Sequence, residues 1–193
     1  MKKTILSIAA VALMACSCSL FQLDNVKAPD ETLKGSVTDK EGNPVLTDQG
    51  SEGIRVRITE TSYGENVQHN PDFYCRQDGT FQNTKLFEGD YNVRIDGPFL
   101  PIIRETEDGV VLSDDSKNIH IKGKTTCDFQ VEPFLKVELD GYPSISDGRI
   151  TIKVKVTRAT GTDRFREVIE PLGNYEDNFT NVTDVQLFVS RSS

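Results

Sequence analysis

The sequence contains no tryptophan and only two histidines among its 193 residues. His69 lies in the polar stretch "ENVQHNPD", and His120 alternates with Ile119 and Ile121, as a surface residue of a strand does. A hydrolytic triad requires a serine beside a histidine with a carboxylate behind it, and the chain has no G-x-S-x-G turn to present one. The motifs H-x-H, C-x-x-C and H-E-x-x-H are also absent, so zinc would lack its usual ligand spacing. We therefore predict no catalytic residue, no metal site and no cofactor.

Carboxylates are plentiful, and pairs of them hydrolyse glycosides in many enzymes. The densest group lies in a predicted loop at residues 104–117 and comprises Glu105, Glu107, Asp108, Asp114 and Asp115. Acidic residues in such numbers are typical of a solvated surface, which is the interpretation we favour. The alternatives are a catalytic pair, with Glu107 and Asp115 as candidates, and a calcium site in this stretch or at 174–178.

Clusters of basic residues are absent as well. The chain has 22 Lys and Arg against 30 Asp and Glu, which gives a formal net charge of -8. Proteins that bind nucleic acid neutralise phosphates with patches of Lys and Arg. The composition therefore predicts no nucleic-acid partner and no peripheral binding to anionic lipid headgroups.

The longest apolar run covers the eleven residues 5–15, directly after two lysines. It is too short to span about 30 Å of hydrocarbon, but it suits a secretory signal peptide over residues 1–15. Its end, Leu13-Met14-Ala15-Cys16, resembles the lipobox of bacterial lipoproteins. This resemblance implies cleavage before Cys16, lipid attachment at Cys16 and a membrane anchor, with routing to the outer membrane and the leaflet left open. The alternatives are ordinary cleavage near Ala15 and lipidation at Cys18.

Two further cysteines, Cys75 and Cys127, lie in strand-like stretches. Secretion permits a disulfide between them because the compartment is oxidising. A small apolar side chain that faces inward would serve equally well at either position. The sequence leaves both states open, a disulfide or two buried thiols.

Beyond a polar tether at residues 16–31, apolar residues recur mostly at period two. In "GIRVRITE" (53–60), Ile54, Val56 and Ile58 share one face, which is typical of a half-buried strand. Asp78-Gly79 suits a tight hairpin turn, and Glu88-Gly89 a second reversal. No stretch outside the signal segment shows a convincing helical period. The pattern predicts an all-β fold, most simply two packed antiparallel sheets.

Two motifs in this region resemble the transthyretin-like, carboxypeptidase-regulatory-like β-sandwich, which has Greek-key topology. A G-x-V-x-D…G-x-P opening is matched by Gly35, Val37, Asp39, Gly42 and Pro44. A D-G-x-F…L-x-x-G-x-Y hairpin is matched by Asp78, Gly79, Phe81, Leu86, Gly89 and Tyr91.

More closely, "LDNVKAPDETLKGSVTD", "DGTFQNTKLFEGDYNV" and "DFQVEPFLKVE" resemble a Bacteroidetes-type lipoprotein family of unknown function. Its genes often lie beside SusC-like transporters and SusD-like glycan-binding lipoproteins. The resemblance implies a sandwich over residues 32–132 and an accessory role in polysaccharide uptake at the outer membrane. It implies either a glycan-binding module or a structural adaptor docked on a transporter.

Residues 133–193 read as a second β module, with strands near 134–140, 149–157 and 184–190. Three strands cannot close a sandwich, so we expect this module to be incomplete, with a truncated end at Ser193. Sugar binding usually needs aromatic rings that stack on the sugar, and here they must come from five Tyr and ten Phe. Tyr63, Tyr74 and Phe99 lie near loops or strand ends and are the ligand-binding candidates.

Overall fold

The computed structural model describes residues 27–64, 68–69, 71–173 and 175–181, with only the backbone described at 68–69. The predicted signal peptide, Cys16, Cys18 and the predicted strand at 184–190 lie outside these residues, as does the His69 side chain. No helix within the described ranges is long and apolar enough to cross a membrane.

The described chain is nearly all β, which confirms the predicted fold class. A first sheet contains β1 (Glu31–Thr38), β5 (Thr80–Leu86), β10 (Lys124–Thr126) and β11 (Phe129–Gln130). A second sheet contains β2 (Arg55–Glu60), β3 (Gln68–His69), β4 (Phe73–Tyr74), β6 (Gly89–Asp96) and β9 (Lys117–Ile121).

The core lies between these two sheets and follows the predicted alternation. Val56 and Ile58 of β2 are buried, whereas Arg55 and Arg57 are partly exposed on the opposite face. Strand β6 alternates in the same way, and its Val93 is fully buried. Because side chains of a strand point to opposite faces in turn, this pattern gives the second sheet one apolar and one polar face.

Most strand pairs are antiparallel, but β1 pairs in parallel with both β10 and β11. The preceding strand β9 belongs to the second sheet, and the chain crosses to the first sheet at Gly123, whose φ is +63°. The N–H of Thr32 donates to the carbonyl of Gly123 at 2.8 Å and ties the crossing to β1. The period-two pattern of apolar residues does not predict these parallel pairs, because the pattern is the same for parallel and antiparallel strands.

Asp78-Gly79 forms the predicted turn, but the predicted hairpin around it is wrong. The N–H of Gly79 donates to the carbonyl of Arg76 at 2.9 Å, and Asp78 Oδ1 accepts from the N–H of Thr80 at 3.0 Å. The flanking strands belong to different sheets, since β4 pairs with β2 and β5 pairs with β1. Asp78 therefore turns the chain from one sheet to the other.

The acidic stretch at 104–117 is a hairpin rather than a loop. Its strands are β7 (Ile103–Glu105) and β8 (Val111–Asp114), with a register shift after Arg104. The turn closes through the N–H of Thr106, which donates to the carbonyl of Val110 at 3.0 Å.

In the C-terminal part, β12 (Leu135–Leu139) pairs with β15 (Val154–Arg158), and β13 (Ser144–Ser146) pairs with β14 (Arg149–Thr151). The strand predicted at 149–157 is therefore two strands that belong to different pairs. Helix α1 (Thr162–Ile169) and two 3₁₀ turns (Glu170–Leu172, Asp177–Thr180) follow.

The sequence predicted no helix after the signal segment, and α1 shows that this prediction is wrong. Phe165, Val168 and Ile169 have the i, i+3, i+4 spacing of a helix, but the helix spans only eight residues and Val168 alone is buried, so the pattern is too short to stand out. The helix is held instead by tertiary contacts. Phe165 packs edge-on against Phe134 with ring centroids 5.4 Å apart, and Arg164 pairs with Glu132 at 3.0 Å.

Candidate functional site

Phe99 does not offer its ring to a ligand, which corrects its selection as a stacking candidate. Only 2% of Phe99 is exposed, and it belongs to the core. Its segment pairs with the chain ahead of β12, since Leu100 donates to the carbonyl of Glu132 at 2.9 Å and Phe134 to that of Pro98 at 3.0 Å. The sequence places Phe99 near a strand end, but it does not show that residues more than thirty positions away bury its ring.

Tyr63 and Tyr74 are exposed, at 65% and 37%, but they do not form one platform. Tyr74 lies opposite Arg55 at the start of β2, whereas Tyr63 follows the end of that strand. A strand rises about 3.3 Å per residue, so the two ends of β2 are roughly 17 Å apart.

Tyr74 instead belongs to the polar face of the second sheet, which we call the outer face. The ladder register places Tyr74, Arg55 and Asp96 in one row across β4, β2 and β6. Arg57 and Arg94 are opposite each other two residues further along, and the next row holds Asn92 and Asn118. Residues distant in the sequence therefore form one continuous polar surface with an aromatic ring at its edge.

Two of the arginines on the outer face are held by carboxylates. Arg57 binds Asp72 with two contacts of 3.1 Å, from Nε to Oδ1 and from Nη2 to Oδ2. Arg55 Nη2 donates to Asp96 Oδ2 at 3.0 Å. The hydrogen bond from Arg57 is the main reason why the pKa of Asp72 lies below its usual value. These pairs fix the guanidinium planes against the sheet.

Amide side chains continue the outer face towards β9. Asn92 Nδ2 is 2.8 Å from Ser116 Oγ and 3.0 Å from Asn118 Oδ1. At the far end, His120 Nδ1 lies 2.8 Å from Asp90 Oδ1. His120 is thus on the exposed strand surface, as the sequence predicted.

Arg94 differs from its neighbours. Within the part of the chain that the structure describes, its side chain forms no hydrogen bond or ion pair, and its Nε is buried without a partner. Its charge acts at longer range and is one of the smaller causes of the lowered pKa values of Asp72 and Asp114. Buried polar groups are normally hydrogen-bonded, so this donor is a notable exception.

The acids of the β7–β8 hairpin occupy separate surroundings. Asp114 Oδ1 accepts from the N–H of Ser116 at 2.9 Å, and hydrogen bonds from Ser116 lower its pKa. Glu107 lies against Gly173, the residue that follows the 3₁₀ turn Glu170–Leu172, whereas Asp115 lines a small cleft with Glu132. Among the described residues, no three His, Cys, Asp or Glu side chains lie close enough together to hold one metal ion.

A larger cleft of about 450 Å³ lies between the turn after β1 and strand β12. Its walls combine aliphatic residues such as Pro44, Leu135 and Val137 with charged ones such as Lys40 and Glu132, and the described lining includes no aromatic ring. Leu135 and Val137 also belong to an exposed apolar face of the β12–β15 pair. That face comprises Leu135, Val137, Leu139 and Val154, which are 40–63% exposed.

Comparison with known proteins places the chain in a family. The model described as "Protein of unknown function (DUF3823) N-terminal domain" matches residues 31–132. A crystal structure of a DUF3823 family protein from Bacteroides uniformis is 59% identical, with a TM-score of 0.75 over 80% of this chain and 64% of that one. No curated protein matches the sequence.

Two other solved structures are more distant. A DUF3823 family protein from Parabacteroides merdae is 21% identical, with a TM-score of 0.52 over 69% of this chain and 61% of that one. A Bacteroides uniformis protein described as a candidate carbohydrate binding protein is 23% identical, with a TM-score of 0.49 over 68% of this chain and 55% of that one. At these identities the likeness concerns the fold alone.

The chain spans less than two thirds of the length of each of these solved structures. The resemblance stated from the sequence motifs is confirmed by the family match. The chain belongs to the DUF3823 family through its N-terminal domain.

Proposed function

We propose that this protein is a non-enzymatic carbohydrate-binding module of the bacterial cell envelope, and that its outer face is the binding surface. The observation that carries the proposal is the arrangement of Tyr74, Arg55, Arg57, Asn92 and Asn118 on one polar sheet face. Tyrosine, arginine and asparagine together supply a stacking ring and planar hydrogen-bonding groups.

These groups match the chemistry of a sugar. A pyranose ring presents patches of C–H bonds that pack on an aromatic ring, and hydroxyls that both donate and accept hydrogen bonds. The two Arg–Asp pairs are already formed, so the side chains lose little freedom when a ligand binds. A rigid sheet also holds the groups more precisely than loops do.

The carboxyl groups favour binding over hydrolysis. A general acid at neutral pH needs a raised pKa. Among the described residues, each carboxyl group with a shifted pKa has it lowered, chiefly by hydrogen bonds; Asp72, Asp114 and Glu132 are examples. Such groups stay ionised and act as hydrogen-bond acceptors.

A calorimetric titration against a broad oligosaccharide panel tests the proposal. We expect saturable binding that Tyr74→Ala weakens at least tenfold, because the stacking ring is lost. Tyr63→Ala is the matched control, since it removes an exposed tyrosine that is not on the outer face. Binding unchanged by Tyr74→Ala, or lost equally with Tyr63→Ala, would place the sugar elsewhere.

The cellular setting is part of the same proposal. The lipobox-like Leu13-Met14-Ala15-Cys16 supports a lipid anchor, and the family resemblance supports a place in the outer membrane beside a SusC/SusD-like uptake system. Cys16→Ala should release the protein from the membrane fraction. If that variant stays in the membrane fraction, either Cys18 carries the lipid or the protein has no lipid anchor. Adding Cys18→Ala to Cys16→Ala distinguishes these two cases, because it releases the protein only in the first.

A structural adaptor is the second candidate function, and the exposed apolar face of β12–β15 favours it. Contiguous apolar patches on a surface usually mark places of contact with another protein. This candidate predicts co-purification with an envelope transporter without any affinity for free oligosaccharide. Val137→Lys should then abolish co-purification, whereas Tyr74→Ala should leave it unchanged.

A further inference from the structure

We propose that the carbohydrate bound on the outer face is acidic, and that Arg94 receives its carboxylate. This inference rests on the proposed function and adds the chemical class of the ligand. It starts from the one arginine of the outer face that the described residues leave without a hydrogen bond or ion pair.

Arg94 is positioned by the sheet to face the ligand. It lies on β6 directly opposite Arg57, whose guanidinium is engaged by Asp72. Arg94 is half-buried, and its neighbours on the strand, Val93 and Ile95, are in the core. The side chain therefore stands half-buried on the outer face, with its Nε enclosed and without a hydrogen-bond partner among the described residues.

The acceptors around Arg94 already have partners. Asp72 accepts from Arg57, Asp96 accepts from Arg55, and Asp114 accepts from the backbone of Ser116. The group that lacks a hydrogen-bond partner here is therefore a donor, the guanidinium of Arg94. A ligand satisfies it best by bringing an acceptor, and ideally a charged one.

A carboxylate fits this donor better than a hydroxyl does. The guanidinium fork matches the two oxygens of a carboxylate, and hydrogen bonds between charged partners are about twice as strong as neutral ones. Partial burial strengthens the interaction further, because water screens the charges less. Among sugars, this chemistry belongs to acidic sugars such as the uronic acids.

The spacing of the outer face indicates the size of the ligand. Arg94 is two strands away from Tyr74 and one row further along the sheet. With strands about 4.8 Å apart and a rise of about 3.3 Å per residue, their Cα atoms are roughly 12 Å apart. A ligand that contacts both side chains lies across three strands of the sheet, so we expect an acidic oligosaccharide to use more of the face than a monosaccharide does.

The test compares acidic oligosaccharides with their own methyl esters, which keep the sugar but remove the charge. The full chain, purified in mild detergent, is titrated by calorimetry with oligogalacturonate, oligoglucuronate and alginate fragments and with each ester. We expect the acid to bind about ten- to hundredfold more tightly than its ester, the range for a hydrogen bond to a charged group.

Three variants assign this preference. Arg94→Gln should bring the acid to the affinity of the ester while leaving the ester unchanged, and Arg94→Lys should give an intermediate ratio because it keeps the charge without the fork. Arg149→Gln, which removes an exposed arginine of β14, should behave as wild type. Thermal melts establish that each variant is folded, and Arg94→Lys carries the test if Arg94→Gln does not fold.

The outcomes separate this inference from the proposed function. Equal affinity for acid and ester, with binding still dependent on Tyr74, overturns the role of Arg94 and leaves the sugar-binding function intact. An acid preference that survives Arg94→Gln also overturns it. Binding of neither acidic nor neutral oligosaccharides by the folded protein overturns both.

Discussion

At Gly35, in the middle of β1, the backbone leaves no room for a side chain. A Cβ atom at this position would overlap the carbonyl oxygen of Cys127 and the ring of Phe81. Gly35 belongs to the opening motif that carries the family resemblance, so the motif has a direct physical reason. The glycine allows the chain segment between β10 and β11 to approach β1 closely enough to pair.

Gly35→Ala should therefore destabilise the sandwich by about 1–3 kcal/mol, the usual range for overpacking a core. Urea denaturation followed by circular dichroism measures the change as a lower midpoint. Gly161→Ala is the control, since no atom lies within 4 Å of its added methyl group, and its effect should stay below about 1 kcal/mol. Equal effects of the two substitutions would contradict the close approach at Gly35.

Cys75 and Cys127 are free and buried, which decides between the two states that the sequence left open. Burial raises the pKa of Cys75 to about 12 and also raises that of Cys127. The thiolate is the reactive form, so both thiols should resist alkylation until the fold opens. Mass spectrometry after iodoacetamide treatment, with an added exposed thiol in Ser51→Cys as the control, measures this. Rapid labelling of Cys75 in the native protein, or a disulfide between the two, would contradict it.

At the scale of elements, Glu132 connects α1 to the sandwich. Its carboxylate contacts Arg164 of the helix at 3.0 Å and Lys40 of the turn after β1 at 3.1 Å. The hydrogen bond from Arg164 is the first cause of the lowered pKa of Glu132, and burial opposes it. Folding lowers this pKa, so the ionised Glu132 stabilises the folded state at pH values above its ordinary pKa of 4.5. This stabilisation is lost as the pH falls through the lower pKa of the folded state.

Glu132→Gln should lower the free energy of unfolding at pH 7 by about 1 kcal/mol, since its partners are themselves partly exposed. The difference from wild type should shrink as the pH falls below about 4.5. Urea denaturation at a series of pH values measures both effects. Glu138→Gln is the control, because Glu138 is paired with Lys136 on an open surface, and it should change nothing measurable. A loss that is constant across pH would show that Glu132 acts by packing instead.

The elements also show what the sequence could and could not predict. Strands such as β2 and β6 were predictable because each has one face in the core, and period two records that directly. Helix α1 was not, because Phe165 and Arg164 hold it through partners about thirty residues away. The Asp78-Gly79 turn was predictable from its residue types, whereas the sheets that it connects depend on pairing far along the chain.

For the whole molecule, the outer face could not be read from the sequence. Its residues come from β4, β2, β6 and β9, and only the register of the second sheet brings them together. Tyr74 was selected from its position near a strand end, but Arg94 was not selected. The sequence does alternate polar residues with the buried Val93 and Ile95, which predicts that Arg94 lies on the polar face of its strand. This alternation does not predict which residues of other strands lie beside Arg94.

The exposed apolar face of β12–β15 leads to a prediction about the molecule in solution. An uncovered face that contains Val137 and Leu139 should bind a hydrophobic dye such as anilinonaphthalene sulfonate. Val137→Lys should reduce the dye fluorescence, and Thr157→Lys, which adds the same charge to the opposite face, should not. Equal fluorescence of all three proteins would mean that the face is covered in solution.

The central claim is that the outer face of the second sheet binds carbohydrate. The most direct measurement is a glycan array probed with the full chain in mild detergent, in parallel with its Tyr74→Ala and Tyr63→Ala variants. We predict that the wild type and Tyr63→Ala bind the same oligosaccharides, and that Tyr74→Ala loses them. An array without any signal from the folded wild type, or signals that Tyr74→Ala retains in full, would contradict the claim.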